Sequence, residues 1–85
     1  MPLTATQRKE SLERGAQKEI AAKIGWFASQ VSAAVSGEMR PKSRGSKKKL
    51  RRCQIEVARL IGVPLDVAFS ADELAVSELP GVRMA

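Results

Sequence analysis

The 85-residue chain has no histidine, no tyrosine, a single cysteine and three aromatic residues, Trp26, Phe27 and Phe69. One cysteine excludes an internal disulfide and is typical of a reducing compartment; without histidine it also excludes the standard zinc sites. So few aromatic side chains are a poor supply for stacking unpaired bases. No run of 18 apolar residues and no apolar signal core is present. We therefore expect a cytoplasmic protein without a membrane span.

The residue groupings of common enzymes are also missing. There is no nucleophile beside a base and no glycine-rich phosphate loop, and the carboxylates near the C-terminus show no spacing suited to acid–base work. We therefore predict that the chain is not an enzyme, has no cofactor or metal, and has no evident small-molecule ligand.

Positive charge is what the chain has in excess. Its net charge is +6 and its pI is about 10.1, which indicates a polyanionic partner, the alternative being a surface charged only for solubility. Residues 39–52, called the basic cluster below, carry eight positive charges and no acid. An uncompensated run of this kind repels itself, which favours contact with phosphates.

Apolar spacing predicts an all-α chain, a compact bundle of about five short helices. We place a first helix from a cap at Thr4 or Thr6 to about Arg14, and the others at about 17–24, 28–36, 47–61 and 65–69. Glycines mark most helix ends, and Ser46 is the expected cap of the fourth helix. Residues 1–70 are predicted to be one domain. Residues 71–85 are predicted to be a tail, forming a helical turn followed by a strand or an irregular end.

Residues 17–36 read as two short helices joined by a tight turn at Gly25, with Ala21 where the helices cross. The segment QKEIAAKIGWFASQVSAAVSG resembles the helix-turn-helix of the Cro and phage-repressor family, and ARLIGVPLDVAF resembles that family's closing helices. The resemblance covers about residues 7–70 and implies a lambda-repressor-like fold. Trp26 and Phe27 depart from the family pattern, and Ala16 stands where a capping serine or threonine is usual. The alternative is a purely structural bundle.

The resemblance implies that the third helix enters the major groove of DNA. It places Phe27, Ala28, Ser29, Gln30, Ser32 and Ala33 on or near the reading face. Gln30 is the best candidate base reader, since an amide can pair with adenine N6 and N7. Gln17 is expected to lie near a phosphate and to brace Gln30. For Phe27 we favour core packing over base contact, and we also expect Trp26 to pack.

The basic cluster is expected to contact phosphates that flank the groove. Its candidate residues are Arg40, Lys42, Arg44, Lys47, Lys48 and Arg51. Lys18, with Arg8 and Lys9, is expected to add contacts from the other side. The alternative for each of these charges, and for Ser29 and Ser32, is a solvated surface.

The C-terminal end reverses the charge balance, with four acids after Val63 against Arg83, and should point away from DNA. The apolar side chains there exceed what one small core needs, so we expect part of them to form a two-fold dimer interface. They are Leu65, Val67, Phe69, Leu74, Val76 and Leu79. The alternative is that they close the monomer core. Cys53 is expected to be a buried small hydrophobe.

Together these features predict sequence-specific binding of double-stranded DNA by a small transcriptional regulator. The resemblance makes it a phage or prophage repressor that binds an inverted-repeat operator as a homodimer. Two alternatives remain: an antitoxin-type regulator whose C-terminal part binds a protein partner, and an RNA-binding module.

Overall fold

Six α-helices make up the secondary structure of residues 1–78, the residues that the computed structural model describes. They are α1 (Ala5–Ser11), α2 (Ala16–Ile24), α3 (Ala28–Val35), α4 (Arg44–Ile61), α5 (Leu65–Ala68) and α6 (Ala71–Val76). The prediction of an all-helical chain is confirmed over this range, with one helix more than expected. Within the same range no helix is long and apolar enough to cross a membrane.

Helices α2, α3 and α4 enclose the core. Their apolar stripes meet in the interior, as the spacing predicted, at Ile20, Ala21, Ile24, Val31, Ala34, Val35, Leu50, Cys53 and Val57. Burying each of the larger aliphatic side chains contributes about 1.5–3 kcal/mol. Leu60 recurs at helical spacing with Leu50, Cys53 and Val57 in the sequence, which predicts a buried position, but it is 43% exposed. Gln54 and Ala58 take buried positions instead.

The buried position of Cys53 confirms its expected role as a small hydrophobe. Burial, with a smaller contribution from the nearby Glu56 carboxylate, raises the pKa of the Cys53 thiol to about 12. The thiol is therefore protonated at neutral pH and chemically inert.

The helix boundaries differ most from the prediction at the end of α1 and at the start of α4. Helix α1 is capped by Thr4 and ends at Ser11, not near Arg14, and Gly15 is the N-cap of α2. Helix α4 begins at Arg44 because the Ser43 side chain, not that of Ser46, caps it by accepting the Ser46 N–H at 3.1 Å. The connection between α3 and α4 is therefore shorter than the predicted helix ends at about 36 and 47 imply, and Arg44 lies on the helix.

The segment predicted as a tail contains a regular helix, α6. The Ser70 side chain accepts the Glu73 N–H, while the Glu73 carboxylate accepts the Ser70 N–H at 2.9 Å. This reciprocal pair is a capping box. Leu74 and Val76 pack against the same core as the preceding residues. Leu79 and Arg83 lie outside the described residues.

Arg8 is only 1% exposed and links several helices through contacts in the interior. Its guanidinium donates to the carbonyls of Leu3, Val35 and Ala68 and forms an ion pair with Glu73. It also lies 4.3 Å from the centre of the Phe69 ring. The expectation that Arg8 contacts phosphates is wrong, because every face of its side chain is engaged within the fold.

Phe69 is buried, and Leu65, Leu74 and Val76 pack against the core. For these four side chains the structure favours the alternative interpretation, in which they close the monomer core. Val67 is half-buried. These four side chains are therefore taken up by the monomer core, and a dimer interface in this region would have to use other, exposed side chains.

Candidate nucleic-acid interface

The connection between α2 and α3 is a tight turn centred on Gly25. Gly25 has φ +78° and ψ +33°, a left-handed conformation that costs about 1–2 kcal/mol for a residue with a Cβ. The N–H groups of Gly25 and Trp26 both donate to the Ala21 carbonyl at 2.9 Å, which closes α2. Trp26 packs against the core, as predicted. The next residue, Phe27, begins the approach to α3.

The N-terminal end of α3, residues 27–30, is called the α3 tip. Phe27 is 77% exposed, so the preference for core packing at this position is wrong. Ala28 and Ser29 are exposed and Gln30 is half-buried. The physical reason is the turn, where only one of two consecutive aromatic residues can point inward, and Trp26 occupies that place.

The Gln30 amide is held against the backbone of the tip. Its Oε1 accepts the Phe27 N–H at 2.9 Å, which satisfies a donor left free at the start of the helix. Gln17 forms no hydrogen bond to Gln30 in the described structure. The Gln30 amide is held by the Phe27 backbone instead. The Nε2 group of Gln30 keeps both of its donors, and Oε1 keeps a second lone pair.

Further along α3, Ser32 and Ala33 are half-buried. They follow Ala28 and Ser29 by four residues and therefore share their side of the helix. Val31, Ala34 and Val35 occupy the opposite, buried side. The structure thus brings the predicted α3 residues to one accessible face.

A second predicted group meets α3 in an open cleft of about 500 Å³. Gln17, Lys18 and Ala28 line it, together with Lys9, Leu12, Glu13, Arg14 and Gly15. The start of α2 and the start of α3 therefore open onto the same surface, with three cations around it and one acid. Arg14 was not among the predicted site residues; its position directly before the glycine that starts α2 was the available signal.

The N-terminal half of α4 also carries cations. Lys49, which belongs to the basic cluster but was not singled out, lies next to the α2–α3 turn, and a Cβ placed on Gly25 would be 3.9 Å from Lys49 Nζ. Lys42, Arg44 and Lys48 are exposed and Lys47 is half-buried. Within the cluster, Lys49 is thus the side chain shown to lie next to the turn that presents α3.

Two predicted cations are partly engaged within the protein. Arg51 Nη2 donates to the Leu74 carbonyl at 3.1 Å, which places this side chain against α6. Lys49 and Arg51 are two residues apart, so they point about 200° apart around α4. Arg40 Nη1 donates to the carbonyls of Gly37 and Met39 and lies beyond the C-terminal end of α3.

Two acids of the described residues, Glu56 and Glu73, form ion pairs outside the basic cluster. Glu56 pairs with Arg59 and Lys23 near the far end of α4, and hydrogen bonding from Arg59 is the main cause that lowers the pKa of Glu56. Glu73 pairs with Arg8. Between residues 1 and 78 no ion pair involves the basic cluster. Its charges are therefore not neutralised by the acids of this range.

Comparison with protein-family profiles, curated proteins and solved structures finds no significant match to this chain. What the chain does must therefore be argued from its own residues.

Proposed function

We propose that this protein binds double-stranded DNA in a sequence-specific manner, as a small transcriptional regulator. In this proposal α2 and α3 form a helix-turn-helix, and α3 is the recognition helix. The observation that carries the proposal is the exposed α3 tip, which borders the cation-lined cleft at the start of α2 and follows the turn that Lys49 of α4 approaches.

The size and chemistry of the α3 face suit the major groove, which is about 12 Å wide and accepts one helix. Ser29 and Ser32 offer hydroxyls, and Gln30 offers two amide donors and a lone pair. Adenine presents an acceptor at N7 and a donor at N6, so Gln30 can pair with both while it still caps α3. Base contacts from this face would provide specificity.

The cations around the cleft and next to the α2–α3 turn suit contact with the phosphates that border a groove. Lys9 and Lys18 lie at the cleft, while Lys48 and Lys49 lie on α4. Phosphate contacts of this kind position a protein on the duplex and make binding depend on salt. As a homodimer the protein would occupy an inverted-repeat operator and repress by blocking it, as a phage or prophage repressor does.

Selection of bound duplexes from a random pool tests the proposal directly. We expect a defined motif to be enriched. On the selected duplex, Lys48→Ala with Lys49→Ala should weaken binding and flatten the plot of log K against log salt by about 0.9 for each phosphate that is no longer neutralised. Arg59→Ala is the control, since it removes a cation about 15 Å further along the same helix.

Enrichment of no duplex motif, or an equal loss of salt dependence in the Arg59 control, would refute the proposal. A preference for single-stranded RNA over duplex DNA would instead identify an RNA-binding module. Retention on a protein partner after nuclease treatment, without any duplex binding, would identify the antitoxin-type alternative.

The proposed base-reading role of Gln30 can be tested separately from its capping role. Gln30→Glu keeps an acceptor for the Phe27 N–H but removes both amide donors, whereas Gln30→Ala removes both functions. We expect each variant to lose about 1–3 kcal/mol of discrimination at one base position. Equal weakening on all sequences would remove Gln30 as a base reader.

A further inference from the structure

Phe27 is an exposed aromatic residue, with 77% of its surface accessible to solvent. The other large apolar side chains exposed among the described residues are Met1 at the chain start and Ile55 and Leu60 on α4. Its neighbours on the α3 tip, Ala28 and Ser29, are small and exposed. A protein–protein contact is built around a contiguous apolar patch, which the α3 tip does not offer.

The backbone that carries Phe27 is fixed on both sides of its side chain. Its N–H is bound by Gln30 Oε1 at 2.9 Å, and its carbonyl accepts from the N–H groups of Gln30 and Val31 at 3.0 and 3.2 Å. Because both backbone polar groups are used within the fold, Phe27 has only its ring to offer a ligand.

In the major groove the bases present hydrogen-bonding groups and one kind of apolar group, the C5-methyl of thymine, which 5-methylcytosine shares. We propose that Phe27 contacts a pyrimidine C5-methyl group, next to the base pair read by Gln30. This inference rests on the proposed function and adds to it a specificity determinant that uses apolar contact rather than hydrogen bonding.

The test uses the duplex selected by this protein from the random pool. Each thymine is replaced in turn by deoxyuridine, which removes the methyl group and leaves the hydrogen-bonding edges unchanged. At one position in each half-site we expect binding to weaken about fourfold, the effect of one buried methyl group. Cytosine and 5-methylcytosine are compared at the same position, to show whether the thymine ring is also needed.

Phe27→Ala should remove the thymine–deoxyuridine difference at that position and leave the differences at other thymines unchanged. Phe27→Leu, which keeps an apolar side chain, should retain most of it. Ile55→Ala is the matched control, because it removes an exposed apolar side chain from α4. Since Phe27 is exposed, thermal unfolding of Phe27→Ala should match the wild type.

Two results would overturn the inference while leaving the proposed function intact. One is a thymine–deoxyuridine difference that persists in Phe27→Ala. The other is a selected duplex in which no thymine methyl affects binding. Failure to select any duplex would count against the proposed function itself, and the two failures are therefore distinguishable.

Discussion

At the residue scale, Arg8 has the largest structural role of any charged side chain described. It joins the chain start, the C-terminal end of α3, the end of α5 and the side chain of Glu73 through one guanidinium group. Three of these acceptors are backbone carbonyls, which a buried environment leaves without water. The charge of Arg8 is therefore tolerated inside because every neighbour is complementary to it.

We expect Arg8→Met to destabilise the fold by about 3 kcal/mol or more, because it leaves three backbone carbonyls and the half-buried Glu73 carboxylate without their donor, and each unsatisfied buried group costs about 1–3 kcal/mol. Chemical denaturation followed by circular dichroism measures the loss. Lys9→Met, at the exposed neighbouring position, should change stability by about 0.5 kcal/mol or less. Adding Glu73→Gln to Arg8→Met should cost little further. A strictly additive double variant would show that the two side chains are not coupled.

Glu73 makes stability depend on pH in a predictable direction. Burial raises the pKa of Glu73, but hydrogen bonds from Arg8 and Ser70 and the Arg8 charge outweigh it, so the net pKa is below its ordinary value. Folding therefore gains stability from Glu73 above the unfolded pKa, about 4.3, and loses it as pH falls through the lower folded value.

Unfolding curves at pH 7 and at several values below about pH 4.5 test this prediction. The stability lost on acidification should be smaller in Glu73→Gln than in the wild type, since the variant has no carboxylate to protonate. Glu38→Gln, at an exposed position, is the control and should lose as much stability on acidification as the wild type. If Glu73→Gln loses as much stability on acidification as the wild type, the Arg8–Glu73 pair is not the source of the pH dependence.

At the element scale, the end of α3 is fitted against α6 through Gly37. This glycine has φ +77°, and a Cβ on it would collide with the Glu73 carboxylate and lie 3.5 Å from an Arg8 nitrogen. The end of the proposed recognition helix thus touches the Arg8–Glu73 pair directly. Gly62 also has a positive φ, +87°, but a Cβ there would meet nothing within 4 Å.

Comparing Gly37 with Gly62 separates the cost of backbone strain from the cost of a steric collision. Gly62→Ala should cost about 1–2 kcal/mol, the strain of a left-handed conformation with a Cβ. Gly37→Ala should cost clearly more, because the ion pair must also shift. Equal losses in thermal or urea unfolding would mean that the Glu73 carboxylate moves aside freely.

Local sequence signals accounted for α1 to α5 but not for α6 or for all of the helix ends. The apolar spacing of Ile20, Ile24, Val31 and Val35 located α2 and α3 because both helices bury a single stripe. The start of α4 was missed because two serines and a glycine within residues 43–46 offer several possible caps, and the choice among them depends on the folded geometry. The capping box of α6 was present in the sequence, four residues beginning with a serine and ending with a glutamate, and could have been recognised.

The site was predictable where it depends on one helix and not where it depends on contacts between distant segments. The accessible face of α3 follows from helical spacing alone. Arg8 could not be assigned, since its partners Val35 and Glu73 are 27 and 65 residues away. Phe27 was misjudged because an aromatic side chain favours burial, whereas the turn gives the inward place to Trp26.

At the scale of the whole molecule, charge is distributed unevenly along the described chain. In the C-terminal half of α4, the acid Glu56 pairs with Arg59 and with Lys23 of α2. The N-terminal half of α4 has cations but no acid. A small domain with one such face binds a polyanion weakly when alone, because phosphate contacts grow with the number of cations presented. Two copies would double that number and place two α3 helices on one duplex.

We therefore expect two chains to bind each selected operator with two-fold symmetry, with the half-sites about 34 Å apart, one turn of the double helix. Mass measurement of the complex gives the stoichiometry, and a duplex carrying only one half-site is the matched control. Inserting five base pairs between the half-sites turns one of them to the opposite side of the duplex, so affinity should fall to that of the single half-site. A complex of one chain, or affinity unchanged by the insertion, would show that each domain binds independently.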